Sequence, residues 1–220
     1  MNALTSTGLF FGLLLGVRHA IEPDHLTAVA TMLTETRSVR RTLVLGLAWG
    51  IGHATSILAV ALALGALRTE LPRVLADVFE LLVALMLLFL GARALARAFL
   101  GREDPADCHE TTPHIHVGRW KFARRSLLMG LIHGLAGSGI LTAMVSAQFD
   151  APAARVAFVL LFGVGAAIGM TVLSGILGCP MARLGSAPRL SRAIAGCAGL
   201  LSLVMGVWWG GPTAWRMLGG

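Results

Sequence analysis

The sequence predicts an all-α membrane protein in which six transmembrane helices form two inverted three-helix repeats. Hydrophobic residues make up 56% of the 220 residues and charged residues only 13%, against about 25% charged residues in soluble domains. Runs of about 20 residues with few or no charges, the length that crosses the hydrocarbon core, recur along the chain. The net charge of +7 comes from basic residues between these runs. That pattern is typical of membrane proteins, so we expect no nucleic-acid partner.

The six predicted spans belong to a single transmembrane domain, residues 1–220. They cover residues 4–33, 42–67, 74–100, 126–149, 153–177 and 190–218. Residues 1–100 form the first repeat, residues 101–125 a linker, and residues 126–220 the second repeat. Each half crosses the membrane an odd number of times, so related halves must be inverted. The halves resemble each other weakly, because residues 46–53 (GLAWGIGH) align with residues 163–170 (GVGAAIGM).

The Lys and Arg residues predict the orientation of the spans. Most of them lie in the linkers after spans one, three and five and at the adjoining helix ends. Apart from Arg18 in the first span, the opposite side holds only Arg68, Arg73, Arg155 and Arg216. The positive-inside rule therefore places the linker 101–125 in the cytoplasm and both termini outside the cytoplasmic (inner) membrane.

A charged segment interrupts the first apolar run. Around Pro23 it holds five ionisable side chains: Arg18, His19, Glu22, Asp24 and His25. Ionisable groups at this depth are costly and mark functional sites. Proline lacks an N–H and clashes with the carbonyl four residues earlier, so we predict that the first helix is broken at Pro23. The break would let Asp24 and His25 turn toward His19. The alternative is a simple proline kink, in which Arg18 pairs with Glu22 at helical spacing.

Four histidines lie within the predicted spans, and their types and depths favour a transition-metal site. They are His19, His25, His53 and His133. A single membrane histidine is more often a hydrogen-bonding residue, but four beside two carboxylates suit nickel, cobalt, copper or zinc. At 1.5 Å per residue, His19 lies about 22 Å, His53 about 16 Å and His133 about 10 Å from the membrane face where its span begins. Span one begins outside and the other two in the cytoplasm, so these depths overlap.

Three motifs resemble those of the nickel/cobalt transporter family. The segment His19-x4-Asp24-His25, preceded by Arg18, resembles its His-x4-Asp-His signature. Gly52-His53-Ala-Thr-Ser resembles its second-helix motif. His133-Gly-Leu-Ala-Gly-Ser138-Gly resembles a later motif, in the form found in short urease-accessory-type membrane proteins. The resemblance covers most of the chain and implies selective, high-affinity movement of Ni2+ or Co2+, with His19 and Asp24 essential.

We assign roles to these residues as predictions. His19, Asp24 and His25 are the primary metal ligands, and His53 and His133 are ligands or partners that orient them. Glu22 pairs with Arg18 or carries protons. Three further residues are weaker candidates for the pathway: Thr55, Ser138 and Met170. Met170 aligns with His53 and could give a soft contact, although packing is the commoner role of a membrane methionine.

The central linker holds a second, sparser group of metal-binding residue types. These are Cys108, His109, His114 and His116. They could collect metal at the cytoplasmic face. The surrounding Asp, Glu and Pro residues are also typical of a flexible linker.

The leading functional prediction is a secondary transporter whose substrate is Ni2+ or Co2+. It needs no organic cofactor and has the lipid bilayer as its surroundings; a homodimer is left open. One alternative is a membrane-bound accessory protein that delivers metal to a urease-type enzyme without net transport. Another is an exporter of a small organic solute on a related fold, which leaves the membrane histidines unexplained. The sequence has no GxSxG, HExxH or glycine-rich nucleotide loop, so it predicts no enzyme.

Overall fold

The computed structural model describes residues 3–34, 38–100, 117–149, 151–184 and 188–219, and every regular element in these ranges is an α-helix. The helices are α1 (Ala3–His19), α2 (Pro23–Leu33), α3 (Val39–Leu67), α4 (Arg73–Leu100), α5 (Val117–Gln148), α6 (Pro152–Leu184) and α7 (Pro188–Met217). Four of them, α3, α4, α6 and α7, are long and apolar enough to cross a membrane. The all-helical prediction is therefore confirmed.

The first predicted span consists of two helices, and the break lies directly before Pro23. Two tight turns close α1: the Ile21 N–H donates to the Arg18 carbonyl and the Glu22 N–H to the His19 carbonyl, both at 3.0 Å. Glu22 has the extended backbone that a residue before proline requires, with φ −62° and ψ 147°. Pro23 then begins α2 at the position where a missing N–H removes no helical bond. The predicted break is confirmed.

Helices α3 and α5 pack so closely that their backbones touch. The Ser126 hydroxyl donates to the Leu45 carbonyl at 2.7 Å. One turn further along both helices, a Cβ on Gly130 would collide with the carbonyl of Trp49. Small residues at such positions allow close helix packing in membranes. Residue numbers rise together along this seam, so α3 and α5 run in the same direction.

Helices α1 and α6 make an equivalent seam. Gly12 lies against the ring of Phe158, and one turn later a Cβ on Gly16 would collide with the carbonyl of Phe162. These helices also run in the same direction. The two seams correspond residue by residue, and Gly16 has the same position in the α1–α6 seam as Gly130 has in the α3–α5 seam.

Helices α3 and α6 cross each other in opposite directions, and their contacts are reciprocal. A Cβ on Gly50 would lie 2.5 Å from the Cα of Ala167, and one on Gly163 would lie 2.9 Å from the Cβ of Ala54. Helices α4 and α7 repeat this behaviour. A Cβ on Gly91 would lie 2.7 Å from the carbonyl oxygen of Gly199, and one on Gly199 would lie 2.9 Å from the carbonyl oxygen of Gly91.

These reciprocal contacts give a register between the halves that differs from the sequence alignment by one helical turn. In this register Phe162 is the residue that corresponds to Trp49, and Ala166 corresponds to His53. The sequence alignment instead paired His53 with Met170. Both registers superpose two glycines, so glycine spacing alone could not separate them. Met170 is fully buried in an apolar cluster that also contains Ala20 and Trp49.

Candidate metal centre

The four membrane histidines meet where the break between α1 and α2 faces α3 and α5. The His25 ring centroid lies 4.0 Å from that of His133, 4.5 Å from that of His19 and 5.1 Å from that of His53. His25, His53 and His133 are buried, and the side chain of His19 is 16% exposed. Because the glycine seams bring α3 and α5 into backbone contact, His53 and His133 can both reach the broken helix.

Asp24 holds two of these imidazoles at once. Its Oδ1 lies 3.0 Å from His25 Nδ1, and its Oδ2 lies 2.8 Å from His133 Nε2. A carboxylate only accepts hydrogen bonds, so both imidazole nitrogens are assigned as N–H donors. The remaining nitrogens, His25 Nε2 and His133 Nδ1, are buried and have no hydrogen-bond partner in the described part of the chain.

Glu22 holds a third imidazole in the same manner. Its Oε2 lies 3.0 Å from His19 Nδ1, so the Nε2 of His19 is assigned as the nitrogen without a proton. That Nε2 lies 3.2 Å from His53 Nε2. Glu22 therefore pairs with His19, and the structure contains no ion pair between Glu22 and Arg18, both of which it describes. A carboxylate that binds one nitrogen of an imidazole fixes the tautomer and aims the other nitrogen.

The side chains form two groups of three whose donor atoms lie within 4.8 Å of one another, close enough to hold a metal ion. The first group consists of His19, His25 and His53, and the second of Asp24, His25 and His133. His25 belongs to both. Three imidazole nitrogens form a donor set that suits Ni2+, Co2+, Cu2+ or Zn2+ and not Mg2+ or Ca2+. A buried nitrogen without a partner also costs free energy that a bound cation would recover.

Two aromatic residues cover the cluster, and neither was among the residues predicted from the sequence. The Trp49 ring lies 5.6 Å from the His133 ring, and the Phe162 ring lies 5.3 Å from the His19 ring. Trp49 is 0% exposed and Phe162 6% exposed. A signal for Trp49 was present, since it precedes His53 by one helical turn and so shares its face. No such signal was present for Phe162, because the residue one helical turn after it is an alanine and not a histidine.

The weaker candidates lie elsewhere or outside the described residues. Thr55 is exposed and its hydroxyl donates to the Ile51 carbonyl of its own helix at 2.7 Å. Ser138 lies in α5, but its side chain is outside the described part of the structure. The preceding Gly137 faces the cluster, since a Cβ on it would lie 3.9 Å from the His19 ring. The linker residues also fall outside the described ranges: Cys108, His109, His114 and His116.

Comparison with known proteins identifies the family. The family model for NicO, described as a high-affinity nickel-transport protein, matches residues 8–186. The chain belongs to the NicO family. The matched segment contains all four clustered histidines and Asp24. Membership confirms the resemblance carried by the three motifs, and it confirms the prediction that the chain is a membrane protein and not an enzyme.

Two relatives extend the comparison. The chain is 26% identical over 210 residues to the urease accessory protein UreH of Bacillus sp. (strain TB-90). The aligned region covers 90% of this chain and 88% of that protein. It is 25% identical over 215 residues to the chloroplast protein FOR GROWTH AND FERTILITY 1 of Arabidopsis thaliana, covering 91% of this chain and 58% of that protein. No solved structure matches the chain.

Proposed function

We propose that the protein is a secondary transporter that carries Ni2+ or Co2+ across the cytoplasmic membrane through the histidine cluster. The observation that carries this proposal is the convergence of three imidazoles from α1, α2 and α3. The Nε2 of His25 is buried and has no hydrogen-bond partner among the described residues. Membership of a nickel-transport family makes Ni2+ the first substrate to test. Cobalt shares the preference for imidazole ligands.

The ligands in this proposal are the Nε2 atoms of His19, His25 and His53. Glu22 and Asp24 orient the first two imidazoles by accepting their Nδ1 protons. Asp24 is then an orienting residue first, and it becomes a ligand only when the ion lies in the second group with His133. His25 belongs to both groups, so its imidazole lies between the two positions that an ion could occupy.

The architecture in this proposal is six crossings arranged as two inverted repeats. Two findings support it: α1 runs parallel to α6 and α3 to α5, and the α3–α6 and α4–α7 contacts are reciprocal and antiparallel. An in-plane two-fold relation between the halves requires both. Inverted repeats with a broken helix at the substrate site are characteristic of transporters. The basic linkers support an orientation in which α3 and α5 begin at the cytoplasmic face.

A second function has one observation in its favour. The urease accessory protein UreH aligns with nearly the whole chain, so delivery of nickel to a urease-type assembly is the alternative. Delivery and transport use the same metal cluster. Only transport requires that the ion leave on the side opposite to the one where it entered.

Metal flux into proteoliposomes separates the two functions. Ni2+, Co2+ and Zn2+ are offered separately to vesicles that contain the wild-type protein, His25→Ala or the control Cys197→Ser, whose exposed thiol lies on α7. We expect flux of Ni2+ or Co2+ in the wild type and the control, and a loss of at least tenfold in His25→Ala. Tight binding without flux would contradict transport and favour delivery.

A further inference from the structure

The histidine cluster contains two copies of one unit, an imidazole with an aromatic ring over it. The ring centroids of His19 and Phe162 lie 5.3 Å apart with an interplanar angle of 45°, and those of His133 and Trp49 lie 5.6 Å apart with an angle of 47°. Phe162 and Trp49 occupy corresponding positions in the two parallel seams, because the backbone carbonyl of each lies against the corresponding glycine of the neighbouring helix. The ring contacts therefore follow the same relation as the backbone contacts.

The two rings lie in the first halves of two antiparallel helices. Trp49 is ten residues past the start of α3 and Phe162 ten residues past the start of α6, so each lies about 15 Å from the beginning of its helix. Each ring is thus in the first half of its own helix, because α3 has 29 residues and α6 has 33. Helices α3 and α6 are antiparallel, so in a membrane their first halves would lie toward opposite membrane faces.

We propose that Trp49 and Phe162 are equivalent barrier residues that close the metal site, Trp49 toward the cytoplasm and Phe162 toward the outside. This proposal rests on the transport function proposed above. Both rings are buried and lie against imidazoles of the cluster. Transport then requires that one ring move away from its histidine while the other stays in place.

The two barriers differ in one respect that favours movement of Trp49. Its indole Nε1 is buried and has no hydrogen-bond partner among the described residues. An unsatisfied buried donor costs free energy, which the indole recovers when it turns toward water. Phe162 carries no polar group and gains nothing comparable. The cytoplasmic barrier is therefore the easier one to open, and we expect the ion-free protein to open more often to the cytoplasm.

Thiol labelling from one side of the membrane tests the proposal. Trp49→Cys and Phe162→Cys are made in a background in which the native cysteines are replaced by serine. A membrane-impermeant maleimide is then added to vesicles of known orientation, with and without Ni2+. Phe89→Cys serves as the control, because Phe89 is 58% exposed on the surface of α4, away from the cluster. Retained Ni2+ binding shows that each variant is folded.

We expect Trp49→Cys to be labelled from the cytoplasmic side and Phe162→Cys from the outer side, each at least fivefold faster than from the other side. Phe89→Cys should react from neither side. Labelling of both positions from one side, or of neither position in a protein that still moves Ni2+, would overturn the barriers alone. Binding without flux in the wild type would overturn the transport function and the barriers together.

If either cysteine variant fails to bind Ni2+, a second pair of corresponding positions on α3 and α6 is labelled instead. Leu45 and Phe158 are buried one turn nearer the start of α3 and α6, and the two seams equate them. Leu45→Cys should react from the cytoplasm and Phe158→Cys from the outside. The opposite sidedness would contradict the proposal.

Discussion

At the scale of single residues, the site depends on carboxylates that orient imidazole rings by accepting their N–H groups. The sequence supplied the residue types, and composition with depth was enough to predict that His19, His53 and His133 lie near one another. It could not show how the hydrogen bonds are shared. Asp24 was predicted to be a primary ligand, and it belongs to the second group that could hold a metal ion. Each of its oxygens also accepts a hydrogen bond from a histidine. Only the three-dimensional arrangement shows this, because His133 follows Asp24 by 109 residues.

Asp24→Asn tests the orienting role. Asparagine has one acceptor oxygen, so its amide N–H would face either His25 or His133, and that imidazole would have to turn or change tautomer. We expect Ni2+ affinity to fall about 10–100-fold, the usual cost of losing a group that orients a ligand. Isothermal titration calorimetry on the detergent-solubilised protein measures it.

The matched control is Asp77→Asn. Asp77 accepts from Arg216 at 2.8 Å on the α4–α7 pair, away from the histidines. Its substitution should leave Ni2+ affinity unchanged. Equal losses in both variants would show that overall negative charge, and not the orientation of the imidazoles, determines the affinity.

At the scale of helices, the fold depends on glycine seams and on one proline. Pro23 allowed the break to be predicted, since its chemistry acts within four residues. The partners of the glycines could not be predicted in the same way. Spacing of four occurs in several places, and the alignment of residues 46–53 with 163–170 was one turn away from the register that the contacts give. Packing against a particular carbonyl selects the register, and glycine spacing does not encode that carbonyl.

Gly130→Ala tests the seam between α3 and α5. The added Cβ would collide with the carbonyl of Trp49, so the two helices must separate. Overpacking of this kind costs about 1–3 kcal/mol. We expect a lower melting temperature in detergent and weaker Ni2+ binding, because His53 and His133 lie along the same seam.

Gly65→Ala is the control for this substitution. Gly65 lies near the end of α3, and a Cβ there would have no neighbour within 4 Å in the part of the chain that the structure describes. Alanine also favours the helix over glycine by about 1 kcal/mol. The melting temperature should stay the same or rise. A Gly130→Ala protein as stable as Gly65→Ala would show that α3 and α5 are not in backbone contact.

At the scale of the whole molecule, the proposed transport requires two halves that cross the membrane in opposite directions. The charge distribution predicts the orientation from the sequence. The helix contacts give the directions of the helices relative to one another, and the side that faces the cytoplasm stays a prediction. The proposed barrier residues could not be predicted, because Phe162 is recognised only through its equivalence to Trp49. That equivalence depends on contacts between residues in different halves of the chain.

Single cysteines between the helices test the orientation. Thr69 lies between α3 and α4, Ala151 between α5 and α6, and Ser38 just before α3. In a background without native cysteines, we expect Thr69→Cys and Ala151→Cys to react with an impermeant maleimide only from outside. Ser38→Cys should react only from the cytoplasm. If Thr69→Cys and Ala151→Cys reacted from opposite sides, the two halves could not be inverted repeats.

The most direct test of the central claim is X-ray absorption spectroscopy of the Ni2+-loaded protein. It counts the imidazoles bound to the ion. We predict three in the wild type, three in Cys197→Ser and two in His53→Ala. A spectrum with sulfur ligands, or an imidazole count that His53→Ala does not lower, would contradict a substrate site made by the histidines of α1, α2 and α3.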